Sequence, residues 1–150
     1  MAPLIVLCAT FTAFLVLKLL GVAPFAAWSW VIALRGAVAA MFFLTASAHW
    51  GKRRADLVRM VPPRFPRPET MVTLTGIAEL VGALGLLLDA YAAPAAGGLA
   101  LLLVCLFPAN ARAARERLTI GGRPVLPFGP RLVMQVVFLA AVLTAGFAPP

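Results

Sequence analysis

Six stretches without a charged side chain, 4–17, 36–48, 70–78, 80–88, 90–109 and 132–148, fill more than half of this 150-residue chain. A bilayer core of roughly 30 Å takes about 20 mostly apolar helical residues to cross. None of the stretches alternates apolar and polar residues at period two, so an outer-membrane barrel is excluded. Ala, Leu, Gly and Val dominate, which suits helices packed closely in lipid. A helix also satisfies its backbone hydrogen bonds within one segment. Composition agrees: 63% of residues are hydrophobic and only 12% charged, about half the charged fraction of a soluble domain. The expected fold is all-α, a polytopic membrane helix bundle.

Five spans follow. The first covers about 4–20. It lacks the basic region that precedes the apolar part of a signal peptide, although "VAPFAAW" offers small residues of the kind a cleavage site uses, so a cleaved leader stays open as the alternative. Gly21 and Pro24 break the chain. The second span, about 28–50, has Trp28 and Trp30 at one end and Trp50 at the other, as interfacial anchors do. The third covers about 69–88, the fourth about 94–112 with a possible kink at Pro108, and the fifth about 131–148. Between the second and third, "GKRRADLVRMV" reads as a basic amphipathic stretch on the headgroups, halted by the prolines of "PPRFPRPE". Gly121-Gly122 suits a small hairpin between the fourth and fifth.

The net charge of +8 is concentrated. Eleven of the thirteen basic residues lie in 52–67 and 112–131, between spans. That placement indicates loops on the cytoplasmic side of a plasma membrane, not a nucleic-acid surface. An even number of spans separates the two loops, which puts the N-terminus inside and the C-terminus outside. Lys52, Arg53, Arg54 and Arg59 are the expected lipid-headgroup contacts. Cys8 and Cys105 are far apart and lie in apolar runs, so they read as packing residues, with no dithiol chemistry. One His and two scattered Cys do not provide a metal site.

Two polar groups need a reason. Glu79 lies about ten residues into the third span, near mid-bilayer, where a charge costs roughly 2.5–3.5 kcal/mol by insertion scales. It has to be protonated, paired or facing water. Arg35 on the second span is the expected partner, reaching across a level difference of roughly 6 Å; together they form a candidate intramembrane polar site. Such a pair can equally serve only to fix helix register. Gly76, Gly82, Ala83 and Gly85 beside Glu79 leave room for a close helix or a flat ligand, the former being the plainer account. The second group, His49, Asn110, Arg131 and Gln135, is expected to cluster at the cytoplasmic border. A histidine there is more often a satisfied interfacial residue, but its pKa near neutrality also suits a proton relay or a bond to a quinone carbonyl.

With these pieces in order, "FFLTASAHW" (42–50), "MVPPRFPRPE" (60–69), "LTGIAELVGALGLLL" (74–88), "LFPANARAA" (106–114) and "RLVMQVVFLA" (131–140), the chain resembles the DoxX family of small bacterial membrane proteins over about residues 31–148. The resemblance implies a DoxX-like four-helix membrane domain in 25–150, with 1–24 an additional N-terminal transmembrane helix. It maps the carboxylate of the family's G-x-x-E-L-x-G segment, its inner-end histidine and its P-A-N segment onto Glu79, His49 and Asn110. The family's R-L-P-L-Q pattern survives as "RLVMQ", keeping Arg131 and Gln135 but replacing its proline with Val133. Relatives named DoxD are subunits of a thiosulfate:quinone oxidoreductase. The implied role is a membrane subunit or anchor of a quinone-linked redox system in the bacterial inner membrane, with a soluble or membrane oxidoreductase as partner and a bound quinone as possible cofactor. The chain has no haem-ligand pair, dinucleotide loop or cluster cysteines, so no intrinsic cofactor is expected. Electrons would come from the partner. An accessory subunit is therefore a better reading than a self-contained catalyst, and no catalytic residue is assigned. The alternatives are a non-catalytic scaffold or lipid-interacting protein and, less well supported without a repeat or broken helix, a small proton-linked transporter. A homo-oligomer remains open.

Overall fold

The computed structural model describes residues 1–149. Its helices, in chain order, are α1 (Ala2–Leu19), α2 (Trp30–Ser47), α3 (Arg54–Met60), α4 (Pro68–Leu86), α5 (Ala92–Arg115) and α6 (Phe128–Phe147). Among the described residues, five of these are long and apolar enough to cross a membrane; the short α3 is not. The protein is an all-α, multi-pass membrane helix bundle.

Local chemistry explains the boundaries. Ser29 caps α2 by accepting the Ile32 N–H at 3.2 Å, which satisfies one of the orphan donors of the first turn. Pro68 opens α4 at a position where its missing N–H costs nothing. α5 continues through Pro108 to Arg115, three residues beyond the expected end. The proline withholds a donor from the Val104 carbonyl but does not stop the helix, since neighbouring groups in a bundle tolerate such a gap. α2 is shorter than expected at its far end: the Ala48 and His49 N–H groups bond back to Thr45 and Ala46, so His49 and Trp50 lie in a tight turn beyond the helix.

The bundle closes in a ring. α2 packs against α4 and α6, and α5 packs against both α4 and α6; α1 lies outside the ring, chiefly on α2. Buried residues of α4 fall at Val72, Gly76, Glu79, Ala83 and Leu86, a four-three spacing that keeps one stripe toward neighbouring helices. Leu74, Ile77, Val81, Leu84 and Leu88 are exposed on the remaining surface, where lipid would cover them. Glu79 thus belongs to the interior stripe. α6 repeats the pattern with Gln135, Phe138, Val142 and Ala145 buried.

The two basic loops share one end of the bundle. There β1 (Thr119–Ile120) and β2 (Arg123–Pro124) pair antiparallel, Ile120 opposite Arg123. Gly121 and Gly122, at φ 58° and 74°, form the two-residue turn whose left-handed backbone matches strand twist. The hairpin rests against α3, and the Arg112 guanidinium on α5 donates to the Val61 carbonyl at 2.5 Å. One loop therefore folds onto the other.

Candidate functional site

Glu79 is 5% exposed, and its carboxyl faces α2. Thr45 Oγ1, two residues before the end of α2, lies 2.7 Å from Glu79 Oε2 and donates to it. His49 Nε2 lies 3.4 Å from Oε1. Thr45 and His49 are four residues apart, so the last turn of α2 and the bend after it present both to the same side.

The histidine tautomer follows from its other nitrogen. His49 Nδ1 is 2.6 Å from the Val72 carbonyl, which can only accept, so Nδ1 carries a proton. Nε2 then faces Glu79 either as a lone pair receiving the carboxyl proton or as the second N–H of an imidazolium. At 3.4 Å, Nε2 and Oε1 lie within ion-pair range. Thr75 Oγ1, 3.5 Å from Nδ1, also bonds the Met71 and Val72 carbonyls and closes the base of the site.

Packing holds the ring there. A Cβ on Gly76 would stand 2.7 Å from His49 Cβ and Cγ and 2.9 Å from Trp50 Cη2, closer than real contacts allow. Cβ atoms on Gly82 and Gly85 would meet Leu99 and Ala95 of α5. Neighbouring side chains therefore press on the small residues of α4, and Gly82 and Gly85 also border an apolar groove of about 550 Å³ between α4 and α5. Arg54 secures the same turn from the basic end. Its guanidinium donates to the His49 carbonyl at 2.8 Å, the Thr73 hydroxyl at 2.9 Å and the Glu69 carbonyl at 3.1 Å.

Arg35 is not the partner of Glu79. It is buried at the opposite end of α2, where Nε donates to the Ala145 carbonyl at 2.8 Å and Nη1 meets Asp89 at 2.5 Å. Ten residues separate Arg35 from Thr45, about 15 Å along the helix. The expected 6 Å offset assumed that α2 and α4 end level at the basic side. In fact His49, already past the end of α2, meets α4 at Val72, the fifth residue of that helix.

The border cluster also divides. Arg131 Nη1 donates to Asn110 Oδ1 at 2.6 Å and Gln135 Nε2 to the Leu103 carbonyl at 2.8 Å. Both bonds lie between α5 and α6, whereas His49 belongs to the α2–α4 seam. Of the expected headgroup contacts, Arg54 is engaged internally as described and Arg59 is paired with Asp56. Lys52 and Arg53 are exposed. Asp56 also accepts the Gly121 N–H at 2.7 Å. That bond, assisted by Arg59, holds its carboxyl below the ordinary value of 3.8.

Thr45 is the member of the site that sequence reasoning missed. Its four-residue spacing from His49 was the available signal.

The fold and site together define a polytopic α-helical membrane protein with a carboxyl–imidazole pair buried in its helix ring. The family model described as a domain of unknown function (DUF8561) matches residues 38–145, and the chain belongs to that family. The match includes Thr45, His49 and Glu79 and begins after Arg35. Comparison with curated proteins and with solved structures returns no match.

Proposed function

We propose that the chain is a relative of the DoxX proteins and serves as an accessory subunit of a quinone-linked redox system in a bacterial inner membrane, supplying a proton-holding site, not an electron carrier. One observation supports this most: the buried carboxyl is partnered by an imidazole, which can change protonation with it, and by a neutral hydroxyl. At the other end, Arg35 and Asp89 use a permanent cation. At Glu79 the chain uses a hydroxyl and an imidazole, so one proton can arrive or leave without stranding a guanidinium charge in the bundle. Quinone reduction takes up protons, and a site with this property within the membrane-spanning bundle suits it. In this reading the partner contributes the electron-carrying cofactor, the quinone is bound between partner and bundle, and the basic end faces the cytoplasm.

The test is purification of the tagged chain in mild detergent with identification of associated protein and extractable quinone. An oxidoreductase and quinone are the expected companions. Glu79→Gln should keep the assembly while lowering its quinone-dependent turnover by about 10²-fold, the low end for losing a positioned acid–base group. A ligand-free chain without partner, or full turnover in Glu79→Gln, overturns the proposal.

The scaffold reading is favoured by a different observation, the free cations at the basic end. It predicts that replacing Lys52 and Arg53 abolishes function while Glu79→Gln is tolerated.

A further inference from the structure

Eleven of the thirteen basic residues sit at one end of the bundle with three acids, Asp56, Glu69 and Glu116, and that end carries the whole net charge of +8. The structure sorts these cations. Arg59 is paired with Asp56 and Arg112 with Glu116, while Arg54 is held by the turn at His49. Lys52, Arg53 and Arg123 are exposed, and among the described residues none of the three makes an ion pair or side-chain hydrogen bond.

Lys52 and Arg53 come from one basic loop and Arg123 from the other, and one contact joins the two loops. Asp56, in the first turn of α3, uses one oxygen for Arg59 and the other for the Gly121 N–H. The hairpin turn is thereby seated beside Arg53: a Cβ on Gly121 would lie 3.5 Å from Arg53 Nε. Lys52 precedes Arg53, and Arg123 follows two residues after Gly121 on the second strand. Both oxygens of the carboxylate that joins the loops at this corner are therefore already engaged.

We propose that Lys52, Arg53 and Arg123 form a composite site for the phosphate headgroup of an anionic phospholipid, with Asp56 as the positioning residue that joins its halves. Charge complementarity selects the ligand class. Position selects the source, because the corner is built on the turn that leaves one span and the hairpin that precedes another, at the level of the headgroups. A cation near an anionic membrane surface contributes about 1 kcal/mol, roughly fivefold in affinity. A site made by joining two loops adds a requirement that loose attraction lacks: the loops must stay joined.

That requirement separates the proposal from simple attraction of a positive protein to a negative surface. The full chain is reconstituted in nanodiscs of equal phosphatidylglycerol and phosphatidylcholine, and the lipid retained on release is measured by native mass spectrometry. Phosphatidylglycerol should be enriched on the wild type. Each of Lys52→Gln, Arg53→Gln and Arg123→Gln should lower the enrichment about fivefold, whereas Arg64→Gln and Arg67→Gln, equal in charge change but outside the corner, should leave it unchanged. Asp56→Ala makes the protein more positive, so simple attraction predicts higher enrichment; the composite site predicts a loss comparable to that of Arg53→Gln. Asp56→Asn, which keeps an acceptor for the Gly121 N–H, should recover it. Unchanged or increased enrichment in Asp56→Ala, or equal losses from the Arg64 and Arg67 variants, overturns the site. Displacement of the lipid by inorganic phosphate would assign the corner to a free anion and also overturn it.

Discussion

At Glu79 the decisive quantity is space. Burying a carboxyl is tolerable only when its oxygens are partnered, and the imidazole can approach only because Gly76 has no side chain. Replacing that glycine has two opposed effects. Alanine in a helix interior is favoured over glycine by about 1 kcal/mol, but its Cβ would overlap the His49 ring, and overpacking costs typically 1–3 kcal/mol. Trp50 can move aside, being half exposed; His49 cannot, because Nδ1 is bound to Val72. Gly76→Ala should therefore lower stability in detergent by up to about 2 kcal/mol. In a His49→Gly background, which removes both the Cβ and the ring from that contact, the same change should be neutral or stabilising. A double-mutant cycle measured by reversible unfolding checks this. Additivity of the two changes would mean that the ring does not rest on Gly76.

The same comparison of levels applies to whole helices. Local chemistry made the spans legible and required a partner or water for Glu79, since lipid length and the cost of a bare carboxyl are properties of a single segment. It left axial stagger undetermined: nothing in 30–47 or 68–86 states that α2 stops opposite the fifth residue of α4. Arg35 was accordingly matched with an acid about 15 Å away along the axis, although Asp89, just past the end of α4, lay at its own level. The observed arrangement ties α2 to the final turn of α6 through the Ala145 carbonyl and only secondarily to Asp89, whose side chain is 89% exposed. The two partners should therefore differ in importance. Arg35→Met should destabilise the protein by about 1.5–3 kcal/mol, as expected when a charged hydrogen bond to a buried group is lost. Asp89→Asn should cost less than about 1 kcal/mol, the usual range for a solvent-facing ion pair. Equal effects would place the weight of the contact on the carboxylate.

Charge distribution turns the bundle into an oriented object. Outside the basic end only Lys18 and Arg35 are cationic, two residues against eleven, so the basic end dominates the Lys and Arg count that sets orientation. Short loops rich in Lys and Arg are retained on the cytoplasmic side, and the physical union of the two loops through Asp56 and Arg112 requires both to share one side. Orientation and tertiary structure are thus one prediction. After Cys8 and Cys105, both exposed on the helices, are replaced by alanine, single cysteines can be introduced at Arg64 and Arg123 and, for the opposite end, at Ala26 and Ala90. A membrane-impermeant maleimide applied to intact cells should label Ala26→Cys and Ala90→Cys only; the Arg64 and Arg123 variants should react after the membrane is opened. Reversal of both pairs would preserve the fold and refute the orientation. Separation of Arg64 from Arg123 would refute the shared basic end, and with it the headgroup site.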